Sequence, residues 1–207
     1  MSEPESGKPV VAAFDFDGTL TRHDTLLPFL RYLLGDAQVA RHALMLSPTL
    51  AGYSLGLVTN SIAKERVLIK CLAGMRTDVL RLEGERFAAY VLPGLLRNEA
   101  LQRLEWHKRQ GHRCVAISAS LDIYVRPWAE KTGLDDVIAT HLESREDGTV
   151  TGKLSGANCF GIEKVRRLEA LLGAREGYSL YAYGDSRGDK ELLSSADYAY
   201  YRQIPKP

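Results

Sequence analysis

The chain has 207 residues, 45% hydrophobic and 26% charged, with 27 Lys and Arg against 26 Asp and Glu. That composition suits one globular domain, or one domain with an insertion, and lacks both the basic excess of a nucleic-acid surface and an acidic tail. Cys71, Cys114 and Cys159 are an odd, scattered set with no CxxC pair, which argues against a disulfide framework or a zinc ribbon.

The opening MSEPESGKPV is polar and carries two Glu, unlike a secretory leader, so a cytoplasmic protein is expected. Residues 10–16, VVAAFDF, form a continuous apolar run, the pattern of a strand buried on both faces. The run ends in Asp15-Phe16-Asp17-Gly18-Thr19. From 25 to 90 the apolar spacing is helical throughout, with breaks at Gly35-Asp36, Gly74 and Pro93-Gly94. Residues 42–63 carry no Asp, Glu, Lys or Arg, about the length of a membrane span. Ser, Thr, Gly and Asn dilute that stretch and Pro48 interrupts it, so two short helices broken near Ser47-Pro48 are expected. Contact with a lipid surface stays open there; a span is not expected.

After Gly94 the pattern alternates. A helix over 95–110 precedes a strand at 114–117, and a helix over 122–132 precedes a strand at 137–140. Glu146-Asp147-Gly148 signals a hairpin. Then come a helix over 162–172, a strand at 180–183, a short helix at 190–194 and a strand at 198–201. Strands separated by helices imply right-handed crossovers and a mainly parallel sheet. The expected fold is therefore α/β, a Rossmann-like three-layer core with an all-helical cap inserted after the first strand. The core would comprise 9–22 and 93–203, and the cap 23–92.

In open parallel sheets ligands sit at the carboxyl ends of the strands. Asp15, Asp17 and Thr19 follow the first strand, Ser118 and Ser120 the second, and Asp185, Ser186 and Asp189 the strand at 180–183. Lys164 opens the helix after the hairpin. Converging carboxylates repel unless a cation offsets them, and Mg2+ binds one or two carboxylates together with substrate phosphate. A lysine and a hydroxyl suit phosphate oxygens. One carboxylate can attack phosphorus while a second, two residues on, handles the leaving-group proton. Gly18 permits the sharp turn that brings both to one mouth.

FDFDGTLT at 14–21 resembles the first motif of the haloacid dehalogenase superfamily in its phosphatase form. AISAS at 116–120 is similar to the second, Lys164 in FGIEKVRRL to the third, and YGDSRGD at 183–189 to the fourth. A helical insertion between the first two motifs further resembles the phosphoserine-phosphatase-like branch, including bacterial phosphatidylglycerophosphatases of that type. The resemblance implies an Mg2+-dependent phosphatase working through an aspartyl phosphate. Asp15 would be the nucleophile and a metal ligand, and Asp17 the general acid/base and a second ligand through its carbonyl. Asp185 would complete the protein's metal ligands, with Asp189 in support. Ser118 and Lys164 would hold the phosphate, while Gly18 and Thr19 shape the loop. Gly161-Ile162-Glu163-Lys164 departs from the amino-acid phosphatases toward the lipid-phosphatase-like relatives, and Arg187 is a large cation inside the fourth motif.

Three further residues are candidates for substrate selection. Asp24 either meets a substrate amine or caps the helix at 25. Ser120 either caps the helix at 122 or meets substrate. Arg31 either reaches the crevice or lies on a solvated face. The substrate expected is a phosphate monoester, either a small amino-alcohol phosphate such as phosphoserine or a lipid phosphate. A phosphotransferase or mutase using Asp15, and a non-catalytic phosphate-binding regulator, are the alternatives.

Overall fold

The computed structural model describes residues 7–206; most of the polar opening, residues 1–6, lies outside them. Strand β1 (Val10–Phe14) is the middle of a five-stranded sheet. Its neighbours are β2 (Arg113–Leu121) on one side and β6 (Ser179–Gly184) on the other, and the order is β3-β2-β1-β6-β7. Every pairing in that sheet is parallel, with β3 (Asp136–Thr140) and β7 (Tyr198–Tyr201) at the edges. The first strand is two residues shorter than its apolar run, because the chain turns at Asp15 and leaves the ladder.

Alternation along the central strands sorts the side chains onto two faces. Ala12, Phe14, Cys114, Ala116, Tyr181 and Tyr183 face one core, with α6 (Asn98–Arg109) and α7 (Asp122–Thr132) over it. Val11, Ala13, Val115, Ile117, Leu180 and Ala182 face the other, under α8 (Ile162–Leu172) and α9 (Lys190–Ser195). A sheet covered on both faces is why these strands read as unbroken apolar runs. The result is the three-layer, Rossmann-like architecture.

Between β1 and α6 the chain forms five α-helices, α1 (Leu26–Leu34), α2 (Asp36–Met45), α3 (Ser47–Ser54), α4 (Asn60–Leu72) and α5 (Thr77–Tyr90). The break between α2 and α3 falls at Leu46, and Pro48 sits in the first turn of α3, where its missing N–H costs nothing. A tight turn at Leu92–Leu95 delays α6 to Asn98. Two glycines set how α4 and α5 meet the rest. A Cβ on Gly84 of α5 would strike the Ile123 carbonyl, and one on Gly152 of β5 (Val150–Leu154) would strike the backbone of Ile69 in α4. β5 pairs antiparallel with β4 (Leu142–Ser144) as the hairpin signal implied. Backbone bonds from Gly74 to Val150 and from Val150 to Met75, 2.9 and 2.8 Å, tie the α4–α5 corner to that hairpin.

By contrast α2 and α3 present Leu44, Met45, Tyr53 and, just beyond, Leu55 and Leu57 to solvent. Among the described residues, no helix is long and apolar enough to cross a membrane.

Candidate active site

Where β1 ends, the chain makes one wide helical turn over Phe16–Leu20, broken internally by Asp17 in an extended conformation and Gly18 at φ +78°. Thr21 closes it, accepting from Gly18 N–H at 3.3 Å and donating to the Phe16 carbonyl at 3.2 Å. Asp15 and Asp17 therefore point from opposite sides of this turn into different polar settings.

Asp15 is buried at the sheet's centre, its amide held by the Tyr183 carbonyl at 2.9 Å. Lys164, in the first turn of α8, reaches 2.5 Å to Asp15 Oδ1, 2.6 Å to Asp189 Oδ1 and 3.2 Å to the Ile117 carbonyl. Burial pushes the Asp15 carboxyl up to about 8 against the pull of that ammonium. Burial draws Lys164 down, but Asp15 and Asp189 overcome it and hold the lysine charged. Asp189 is fully buried and fully engaged. Its second oxygen accepts from Ser186 N–H at 2.9 Å, Ser186 Oγ at 2.8 Å and Asp185 N–H at 3.2 Å. Against the cost of burial, Lys164 and these donors hold its carboxyl below the usual range.

Asp185 differs. Its Oδ1 is buried with no hydrogen-bond partner among the described residues, and burial followed by Asp189 raises its carboxyl. The carboxylate lies against Gly18, where any Cβ would collide with it. Carboxylate oxygens of Asp15, Asp185 and Asp189 all lie within 4.8 Å of one another. Lys164 bonds two of these three acids.

Asp17 sits among hydroxyls. Thr25 donates twice to Oδ1, from its amide at 2.9 Å and its hydroxyl at 2.6 Å, and Ser120 Oγ donates to Oδ2. Tyr124 Oη lies 3.2 Å from Thr25 Oγ1. Burial, then repulsion from Asp24, pushes Asp17 up to about 6 despite these donors.

β2 runs on to Leu121, so Ser118 and Ser120 lie within the strand rather than after it. Ser118 Oγ accepts from Ser120 N–H at 2.8 Å, and Thr19 Oγ1 is buried without a partner. Ser120 does not cap α7, whose N-terminus has no side-chain cap. Asp24 accepts from Leu26 N–H at 2.9 Å, a capping bond on α1. Arg31 lies on the exposed side of α1, 3.3 Å from Asp36, and does not join the cluster.

Sequence reasoning missed four residues here: Thr25, Tyr124, Lys64 and Asn158. Lys64 of α4 donates to the Ala119 carbonyl and, at 3.3 Å, to Asn158 Oδ1. Asn158 in turn accepts from Thr140 and donates to Asn60. Burial pulls the Lys64 ammonium down to about 8, Asp17 and Asp24 resisting. A lone lysine in an amphipathic helix reads as solvated, so nothing in its spacing marks it.

Clustered acids around a buried lysine, with Asp17 among hydroxyls and all of them at the strand ends, define a class. Residues 12–194 match the haloacid dehalogenase-like hydrolase family, and the chain belongs to it. Among relatives, Protein CicA of Caulobacter vibrioides is 34% identical over 205 residues, covering 97% of this chain and 91% of that protein. A histidinol-phosphatase of Neisseria meningitidis serogroup C is 25% identical, covering 88% and 85%. A Bordetella pertussis Tohama I protein of unknown function superposes with TM-score 0.77 at 27% identity, covering 91% and 87%. The fold is shared with a substrate-bound phosphoserine phosphatase at TM-score 0.62, with 21% identity over 92% and 84% of the two chains.

Proposed function

We propose that this hydrolase is an Mg2+-dependent phosphatase that cleaves a phosphate monoester through an aspartyl phosphate on Asp15. The observation that carries the reading is the unbalanced cluster, in which Asp185 keeps a buried oxygen with no partner beside Asp15. A hard divalent cation suits all-oxygen donors and offsets their repulsion. Asp15, Asp185 and the Asp17 carbonyl would hold it, and Asp189, already bound to Lys164, would support them. Bound there, Mg2+ would neutralise charge on the transferring phosphoryl group.

The chain's own groups carry the rest. An Asp15 oxygen attacks phosphorus, the phosphorus–leaving oxygen bond breaks, and Asp17 gives that oxygen its proton. Asp17, now ionised, takes a proton from water as the water attacks phosphorus, and the bond to Asp15 breaks with release of phosphate. Ser118, Lys164 and Thr19 bind phosphate oxygens, Thr19 with a hydroxyl that is otherwise unpartnered. Thr25 and Ser120 aim the Asp17 carboxyl.

Residues 23–92 serve as a lid that limits water and selects the leaving group. Its contributions near Asp17 are polar, Asp24 and Lys64 with core Asn158, while Leu44, Leu55 and Leu57 face solvent. This favours a small polar phosphate over a lipid one.

The test is hydrolysis of para-nitrophenyl phosphate and of a panel from phosphoserine and histidinol phosphate to phosphatidylglycerol phosphate. Each is run with Mg2+ and with EDTA, for wild type and Asp15→Asn. Turnover that needs Mg2+ and disappears in the variant is expected. Phosphate transfer to an added alcohol in preference to water would make it a phosphotransferase. Mg2+ and phosphate binding without turnover on any ester would make it a regulator. Turnover retained by Asp15→Asn would overturn the nucleophile.

A further inference from the structure

The edge strand β7 does more than close the sheet. Phe14, Tyr183 and Tyr200 occupy one registered row across β1, β6 and β7. Their rings stack face to face, with centroids 4.4 and 4.9 Å apart and planes 6° and 10° from parallel. Just past these strand ends come Asp15 after β1, Asp185 after β6 and Arg202 after β7.

Arg202 is the only non-glycine with positive φ among the described residues, at +54°. Left-handed backbone costs an L-residue roughly 1–2 kcal/mol, and an exposed residue past the last strand would relax unless something held it. Two bonds hold it, both to the metal-site loop. Its amide donates to the Gly184 carbonyl and its Nε to the Asp185 carbonyl, each at 2.8 Å. The guanidinium rests over the Tyr201 ring at 5.1 Å. On the opposite side Arg97 donates to the Gly18 carbonyl at 3.0 Å, and Gly18 is the surface against which the Asp185 carboxylate sits. Strain of this kind gathers where a structure over-determines a functional group.

We propose that Arg202 is a positioning residue for the divalent-cation site, clamping the Asp185 carbonyl so that its unpartnered carboxylate oxygen stays aimed at Asp15. The inference rests on the Mg2+-dependent reading. It gives the C-terminal segment a task that no motif records, and it makes metal affinity, rather than chemistry, the property that Arg202 controls.

The experiment measures Mg2+ binding to the substrate-free full chain by titration calorimetry, beside the Mg2+ dependence of turnover. The variants are Arg202→Ala, Arg202→Gly and Asp185→Asn. Outer partners of metal ligands typically govern about tenfold in affinity, so Arg202→Ala should weaken Mg2+ by about that factor. Turnover at saturating Mg2+ should fall by no more than about threefold, the split expected of a group that acts on binding alone. Arg202→Gly keeps the left-handed turn without strain but lacks Nε, so it should lose affinity as Ala does. Affinity retained by Arg202→Gly would assign the effect to backbone alone and overturn the side-chain role. Unchanged affinity in Arg202→Ala, with binding lost in Asp185→Asn, would overturn the Arg202 assignment and leave the metal site standing. No Mg2+ binding by wild type would overturn both.

Discussion

The molecule buries charge in two places and balances it in opposite ways. At the strand ends, Lys164 pairs with Asp15 and Asp189, and the half-buried Asp185 stands beside them with an oxygen unbonded among the described residues. Behind them, between α6 and the sheet, Arg103 is buried with no carboxylate paired to it among the described residues. Its Nε donates to Tyr183 Oη at 2.8 Å, its guanidinium lies 4.0 Å from the Trp106 ring centroid, and one terminal nitrogen has no partner. His107, fully buried, bonds the same hydroxyl at 2.8 Å and His112 at 2.7 Å. Tyr183 belongs to both regions, ringed by the rear cluster and stacked on Phe14, the residue before Asp15. The contrast teaches what each region is built for. An excess of anion invites a cation to arrive, whereas a cation satisfied by ring faces and hydroxyls is complete as folded.

The sharpest way to break this comparison is to remove each cation. Lys164→Met strands two buried carboxylates and should destabilise the protein by roughly 3–5 kcal/mol in urea unfolding, the cost of breaking a buried pair. Added Mg2+ should return part of that loss. Recovery absent with Mg2+ would show that the excess of anion has another use. Asp17→Asn keeps the hydroxyl contacts but removes the proton donor, so kcat should fall by about 10²–10⁴ with substrate binding preserved. An equal loss in binding, read by equilibrium titration with a non-hydrolysed analogue, would move Asp17 from acid to ligand.

Acidity separates the two regions by sign. Burial, then Arg103 and His112, push His107 down to about 2 from 6.5, so below 6.5 the unfolded chain takes the proton first. The rear cluster's contribution is present above pH 6.5 and should fall by about 2 kcal/mol by pH 5. Asp15, raised to about 8, and Asp17, raised to about 6, both from 3.8, work the other way, since the folded state takes their protons first and gains stability as pH drops. In EDTA, the front's gain between pH 7 and 5 should exceed the rear loss, so wild type should melt higher at pH 5. His107→Gln removes the rear loss and should steepen that gain. A parallel slope in both proteins would refute the division. Smallest of all, Arg103→Met should change stability by no more than about 1 kcal/mol, because no charge is stranded; a loss like that of Lys164→Met would mean the rear cation has an anionic partner after all.

The front was far more legible in the amino-acid sequence than the rear. Asp15, Asp17, Lys164, Asp185 and Asp189 each follow a strand or open a helix, and motif order named them together. The structure gathers Asp15, Lys164, Asp185 and Asp189 into one cluster, while Asp17 sits among the hydroxyls of Thr25 and Ser120. Ser118 and Ser120 were found but misplaced: Ser-Ala-Ser reads as a loop, yet the pairing of Leu121 with Thr140 keeps β2 extended through it. Thr25 and Lys64 reach the site only because α1 and α4 fold back over it, and Asn158 comes from the loop between β5 and α8; these are long-range facts with no local pattern. Arg103 and His107 did leave a trace. They share the 100, 103, 104, 107 face of α6 with Ala100 and Leu104, a buried stripe that charge had disguised as solvated surface.

The chain's two tryptophans divide along the same line. Trp128 packs edge-on against Phe16, 5.1 Å between centroids, inside the turn that carries Asp17. Trp106 lies under the Arg103 guanidinium and edge-on to His107, 4.7 Å between centroids. Indole emission follows the polarity and charge around the ring, so each region carries its own built-in lamp. With Trp106→Phe, light from Trp128 alone reports ligand arrival at the turn in real time. With Trp128→Phe, the remaining signal tracks loss of packing behind the sheet, and the two regions can be watched separately in one unlabelled protein.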